Sequence, residues 1–134
     1  MSYINEAIAR IEKGSCNLAA ISDKGVFTFN THGITSILQK LKEDPSFWHN
    51  ASVADTVIGK AAALLFVYGQ VKEIYAKLIS RPALSVFETA KIEVTYKELT
   101  AFIKNRSKDG LCPMEQAVIN VDDPKLAYIL FADK

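Results

Sequence analysis

Hydrophobic residues recur along this chain with two different periods, which divide its first third into helices and strands. Spacings of three and four residues predict amphipathic helices over residues 4–11 and 33–41. Between these helices, short apolar runs at 18–21 and 26–29 flank a turn-forming sequence at 23–25. This arrangement predicts a β-hairpin. The chain is therefore expected to begin with a helix, a hairpin and a second helix.

The longest apolar segment lies in the middle of the chain, and we predict that it forms a buried helix. Ser52, with Asp55 three residues later, has the pattern of a capping box and predicts the start of this helix. Gly69 predicts its end, just after Tyr68. The apolar run at 61–68 is much shorter than the roughly 20 residues that cross a bilayer. No membrane segment is therefore expected.

The second half of the chain alternates between strand and helix. Residues 71–79 predict a central strand, residues 80–91 a helix with an early proline, and the alternation at 92–96 another strand. A strand, a crossover helix and a strand in this order predict a right-handed parallel unit. Pro113 predicts the start of another short helix, and Asp122-Asp123-Pro124 predicts the start of the last one. Together with the hairpin, these elements predict a mixed central sheet.

Length and composition are those of one globular domain. The 134 residues are 49% hydrophobic and 23% charged, which is enough to bury a core without disulfide bonds. We therefore predict a single three-layer α/β/α domain over residues 1–134. A net charge of +1 gives no field that attracts nucleic acid. Cys16, Cys112, His32 and His49 are too few for a cysteine-rich zinc module, and two free thiols predict a reducing, cytoplasmic location.

Lys60 is the only charged residue in the apolar segment 57–68. An unpaired ammonium in a buried helix costs several kcal/mol, so its side chain must reach water, pair with a carboxylate or line a wet cavity. Neighbouring Gly59 lowers helix stability by about 1 kcal/mol relative to alanine, which suggests that another backbone or a ligand approaches closely. Outward extension of Lys60 to the end of the core explains its charge equally well.

The segment Cys112-Pro113-Met114-Glu115 predicts a helix start that could also carry chemistry. Proline suits the first helical position, and Glu115 at the third can bond back to the cap amide, so the segment could be purely structural. The positive end of the helix dipole favours a thiolate at Cys112, whereas Glu115 opposes it. Asn105 and Arg106 lie just before this segment. If their loop folds over the helix start, Arg106, Lys60 and helix amides form an anion site.

These two motifs together resemble a small prokaryotic family of uncharacterised proteins assigned to the cytidine-deaminase-like superfamily. The first motif is Asp-x-Val-x-Gly-Lys-Ala-Ala-Ala, here residues 55–63. The second is Asn-Arg followed by Cys-Pro-Met-Glu, here residues 105–106 and 112–115. The resemblance covers nearly the whole chain and implies a cytidine-deaminase-like fold. It carries no established activity.

The zinc motifs of active deaminases are altered in this sequence. Active members place a His or Cys ligand, and two residues later a proton-shuttling Glu, on the first helix, and two Cys ligands on the second. Here Ile58 and Lys60 take the first two positions, and Cys112 and Glu115 take the others. Two possible ligands are insufficient, because catalytic zinc generally takes three. The resemblance therefore predicts that zinc-dependent deamination is lost.

The leading hypothesis is a deaminase-like domain that binds a small anionic or nucleotide-like ligand in the former active-site pocket, without a metal or cofactor. Lys60 and Arg106 would neutralise the charge of the ligand. Asp55 could orient Lys60, although a cap is its more natural role. The predicted ligand-binding residues are the polar or small members of the two motifs: Asp55, Gly59, Lys60, Asn105, Arg106, Cys112 and Glu115.

Two other classes of function stay open from the sequence. An enzyme would use Cys112 as a nucleophile or redox centre, with Lys60 and Glu115 completing the catalytic set. A non-catalytic oligomeric module would instead pair Lys60 with Glu115 as a buried structural ion pair. Deaminase-like domains commonly self-associate, so the resemblance also implies a homodimer.

Overall fold

The computed structural model of the protein describes residues 2–31, 33–104 and 110–133. Within these residues, helices and strands alternate around one mixed sheet, which is an α/β fold. In chain order the elements are α1 (Tyr3–Glu12), β1 (Leu18–Ser22), β2 (Gly25–Phe29), α2 (Thr35–Glu43), β3 (Ser52–Ile58), α3 (Lys60–Tyr68), β4 (Glu73–Ser80), α4 (Arg81–Ala90), β5 (Glu93–Thr100), α5 (Pro113–Ala117) and α6 (Pro124–Ala132).

The sheet has the strand order β2-β1-β3-β4-β5 and mixes antiparallel with parallel pairs. β1 pairs antiparallel with β2 and with β3, and its hairpin register sets Leu18 opposite Phe29. β3, β4 and β5 run parallel to one another. The predicted hairpin and the predicted parallel unit of β4, α4 and β5 are therefore confirmed.

The predicted helix at residues 52–68 is wrong in its first half, because residues 52–58 form the central strand β3. Ser52 caps no helix; its hydroxyl donates to Glu73 Oε2 on the neighbouring strand at 2.5 Å. Asp55 lies within β3, between Leu18 of β1 and Ala76 of β4. Valine, threonine and isoleucine favour such a strand. The helix begins only at Lys60, and Gly59 is its N-cap residue.

Alternate residues of the strands supply two hydrophobic clusters on opposite faces of the sheet. On one face, Ala19 of β1 and Ala54 of β3 pack against Ala7 and Ile11 of α1. On the other face, the core includes residues of α2, α3, α4 and α6 together with buried Trp48. Helices therefore cover both faces of the sheet, consistent with the predicted three-layer α/β/α arrangement.

Helix α3 is the central element of the larger core, and its first seven residues are buried. Its end is fixed by Gly69, where a Cβ atom would lie 2.8 Å from the Cβ of Trp48. Glycine therefore lets the tryptophan ring pack across the end of the helix. Among the residues described, no helix combines the length and hydrophobicity that crossing a bilayer requires.

Candidate functional site

The candidate site lies at the N-terminus of α3, directly after the carboxyl end of β3. The carboxyl ends of parallel strands are the usual location of ligand sites in α/β proteins. Gly59 forms the short connection between strand and helix. Lys60 is consequently the first residue of α3, whereas the sequence predicts a position about two turns after the start of a longer helix.

Glu115 of α5 binds the start of α3 with both carboxylate oxygens. Oε1 accepts a hydrogen bond from the Lys60 amide at 2.7 Å, and Oε2 accepts one from the Ala61 amide at 2.9 Å. These amides have no partner within their own helix, and the positive end of the helix dipole favours a negative charge. The carboxylate is buried, with only 8% of the residue exposed. The protein itself thus supplies the anion at this helix end.

Two predictions about the Glu115 carboxylate are therefore wrong. It does not bond back to its own cap residue, because the Cys112 amide donates to the carbonyl of Ile103. Nor does it form an ion pair with the Lys60 ammonium, because it contacts the backbone of Lys60 instead. The helix amides predicted to hold a ligand anion are already taken.

Gly59 is explained by the close approach of Glu115. Its backbone is extended, at φ −99° and ψ −178°, so no unusual conformation requires glycine. A Cβ atom at this position, however, would lie 2.6 Å from the Glu115 carboxyl carbon. Close approach was predicted from the sequence, but the approaching group is a side chain of the protein, not a ligand or a backbone segment.

We expect Gly59→Ala to lower the free energy of unfolding by about 2 kcal/mol, because the methyl group displaces the carboxylate from the helix start. Urea denaturation measures the change. In a Glu115→Ala background the same substitution should cost much less, since the obstructing group is gone. An equal cost in both backgrounds would contradict this explanation of the glycine.

The Lys60 ammonium is held by the C-terminal part of the chain. Its Nζ lies 2.8 Å from Asp122 Oδ1, and it donates to the carbonyl oxygen of Ile119 at 3.4 Å. The two charged side chains differ sharply in environment: 11% of the Lys60 side chain is exposed, against 89% of the Asp122 side chain. A buried cation is therefore paired with a carboxylate that is almost fully hydrated.

Sequence reasoning missed Asp122, although the sequence contained a usable signal. The sequence predicts that Asp122 and Asp123 lie together at the start of the last helix, yet a helix has one N-cap residue. That residue is Asp123, whose carboxylate accepts a hydrogen bond from the Lys125 amide. Asp122 therefore has no role in capping the helix, and it is Asp122 whose carboxylate reaches Lys60.

Two cavities meet at Lys60. The larger has a volume of about 530 Å³ and lies between α3, α4 and the chain before α6, with Asp122 on its wall. The smaller, of about 60 Å³, lies beside Glu115 and Ile119. Lys60 and Pro82 line both cavities. The larger volume falls within the usual range for small-molecule sites.

Of the remaining predicted site residues, the two that the structure describes, Cys112 and Asp55, are not brought to these cavities. Cys112 is the N-cap residue of α5 and is half-buried, but it lines neither cavity. Catalysis by Cys112 with help from Lys60 stays a prediction; among the described residues, the Lys60 ammonium bonds to Ile119 and Asp122. The predicted roles of Asn105 and Arg106 lie outside the described residues.

Asp55 is a buried carboxyl group in the middle of β3, away from both cavities at Lys60. Its predicted role as a helix cap is wrong, because it lies inside a strand. Burial raises the pKa of Asp55 to about 7, although backbone hydrogen bonds from Thr56 and Val57 favour the ionised form. No ion pair to this carboxyl group occurs within the described ranges.

Histidine, cysteine, aspartate and glutamate are the side chains that most often bind metal ions in proteins. Among residues 2–31, 33–104 and 110–133, no group of three or more such residues is arranged to hold a metal ion. Cys16 and Cys112 are both free thiols.

Comparison with known proteins places the chain within a family of unknown function. Residues 6–134 match the TM1506 family, described as a domain of unknown function, DUF1893. The structure is similar to that of a DUF1893 family protein (TM1506) from Thermotoga maritima, with a TM-score of 0.87 and 26% sequence identity. That match covers 98% of this chain and 88% of the Thermotoga chain. No curated protein is significantly similar to the sequence.

Proposed function

The chain belongs to the DUF1893 family, and we propose that it binds a small anionic ligand in the cleft beside Lys60. The observation that best supports this proposal is the unequal solvent exposure of the ion pair between Lys60 and Asp122, whose ammonium is buried and whose carboxylate is exposed. A buried ammonium needs an anionic partner, since leaving it unpaired costs several kcal/mol. An exposed carboxylate, by contrast, loses little when it returns to water. The pair can therefore open on the Asp122 side, provided that another anion takes its place.

The geometry favours a simple anion over a phosphate chain as the bound group. Glu115 occupies the amides of Lys60 and Ala61, so the backbone cradle that usually binds phosphate is not free. Among the described residues, the ligand would then be held by the Lys60 ammonium. The cleft next to Lys60, at about 530 Å³, has room for an organic molecule.

A deaminase-like origin of the pocket is part of this proposal. It is supported by the contact between the two motif helices, since Glu115 at the start of α5 binds the start of α3. The residues at the former ligand positions do not fit zinc. Ile58 has no donor atom, and both oxygens of Glu115 already accept hydrogen bonds. Lys60, at the acid/base position, is paired with Asp122.

The decisive experiment compares thermal stabilisation by anions in the wild type and in Lys60→Met. We expect acetate, hexanoate and inorganic phosphate, each titrated at constant ionic strength, to include at least one anion that raises the wild-type Tm saturably. Lys60→Met should fold and lose this saturable shift. Lys125→Met removes an exposed lysine that directly follows the lining residue Pro124 in the chain, and this variant should keep the shift. Salts also stabilise proteins non-specifically, so only the difference between variants counts. A full saturable shift in Lys60→Met would refute the proposal.

A further inference from the structure

Among the described residues, the cleft beside Lys60 combines a single cation with walls that are mostly apolar. Lys60 and Asp122 are the charged side chains among its described lining residues. Val67 of α3, Val86 of α4 and Pro124 of α6 are among the apolar ones. The polar side chains on the wall of α4 are hydroxyls, which carry no charge. A ligand with several negative charges would therefore lack partners in the described part of this cleft.

Resting on the proposed function, we infer that the ligand is an organic monoanion with a mainly apolar body, whose head group replaces the Asp122 carboxylate at Lys60. One positive charge balances one negative charge. A carboxylate in place of the Asp122 carboxylate preserves the ion pair that now spans 2.8 Å. Asp122 is then a built-in counter-ion that must leave before the ligand can bind.

This exchange decides where the affinity comes from. One ion pair with Lys60 is broken and an equivalent one is formed, while Asp122, whose side chain is 89% exposed, changes little in hydration. The head group alone therefore contributes little net free energy. The apolar body contributes the remainder, at about 25 cal/mol for each Å² of apolar surface removed from water. Anions without such a body should bind weakly.

The chemical class can be tested with a series of straight-chain carboxylates. Butanoate, hexanoate and octanoate should bind to the wild type with an affinity that rises about tenfold for every two methylene groups. Isothermal titration calorimetry measures the affinity, with 1-hexanol and inorganic phosphate as controls for the body alone and the charge alone. Inorganic phosphate should bind at least about tenfold more weakly than hexanoate, because it lacks the apolar body. 1-Hexanol keeps that body and leaves the ion pair between Lys60 and Asp122 intact, so its affinity for the wild type should stay close to that of hexanoate.

The exchange itself is tested with Asp122→Asn and Asp122→Ser, which remove the competing charge at an exposed position. Both should bind hexanoate about tenfold more tightly than the wild type, as expected when about 1.4 kcal/mol of competition is lost. Asp133→Asn, which removes an exposed carboxylate at the end of α6, should leave the affinity unchanged.

The outcomes separate this inference from the proposed function. If affinity does not depend on chain length, or if inorganic phosphate binds as tightly as hexanoate, the ligand class is wrong while anion binding at Lys60 stands. Weaker or unchanged hexanoate binding in both Asp122 variants would show that Asp122 does not compete, which overturns the exchange. If no anion binds to the wild type, both the inference and the proposed function are wrong.

Discussion

Replacing Glu115 with alanine is expected to lower the free energy of unfolding by about 4 kcal/mol. The substitution removes two hydrogen bonds to a charged acceptor and leaves two amides at the start of α3 buried without partners. It also removes a negative charge from the positive end of a helix dipole. Urea denaturation, followed by circular dichroism, measures the loss.

Glu115→Gln provides a graded comparison. An amide side chain has one oxygen acceptor, and its NH₂ group would face the second backbone donor, so we expect a loss of about 2 kcal/mol. Glu88→Ala serves as the matched control, because Glu88 is an exposed glutamate on α4, and should change stability by less than about 0.5 kcal/mol. A loss below about 1 kcal/mol for Glu115→Ala would show that water replaces the carboxylate without penalty.

The second large effect is a dependence of stability on pH that originates at Asp55. Its pKa is raised to about 7 in the folded protein by burial, from an ordinary value of 3.8. Between these values the unfolded chain loses the proton while the folded chain keeps it. The folded state is therefore favoured most below about pH 4, and this contribution is lost as the pH rises to about 7. A difference of about three between the two pKa values corresponds to about 4 kcal/mol.

Asp55→Asn should remove this dependence, because an amide does not titrate. The stability of the variant relative to the wild type is expected to rise by about 4 kcal/mol between pH 4 and pH 8. Urea denaturation midpoints, measured for the variant and the wild type across this pH range, give the stability of each protein as a function of pH. Asp133→Asn removes an exposed carboxylate from the end of α6. The pH dependence of its stability should be parallel to that of the wild type. Parallel curves for Asp55→Asn and the wild type would show that the buried carboxyl group ionises in both states alike.

The local pattern of polar and hydrophobic residues predicted most of the helices and strands. It failed where an element is so buried that it has no polar face. The hairpin, α1 and the unit of β4, α4 and β5 have polar faces, so their periodicity is visible in the sequence. β3 is buried along most of its length, and a strand buried on both faces loses its alternation. With alternation absent, the spacing of Ser52 and Asp55 suggested a helix cap. A short apolar run cannot be assigned to helix or strand by periodicity alone.

The sequence identified the residues of the candidate site better than it identified their contacts. Lys60, Gly59 and Glu115 were selected because each was unusual in its local context, and the structure brings all three together. Their partners could not be assigned, since hydrogen bonds between distant segments leave no local trace in the sequence. The ion pair with Asp122 is the clearest case. Asp122 has no role of its own at the helix start, because Asp123 is the N-cap residue, but nothing in its neighbourhood identified Lys60 as its partner.

The contact between Glu115 and the start of α3 has a consequence for the order in which the protein is assembled. The residues that it joins are 55 positions apart in the chain. During synthesis, α3 leaves the ribosome well before the segment that caps it, and domains fold as units once enough of the chain is available. Ile119 and Asp122, which hold the Lys60 ammonium, are translated later still. A nascent chain that ends before these residues has Lys60 but no completed site, so the site can form only after this later segment has been made.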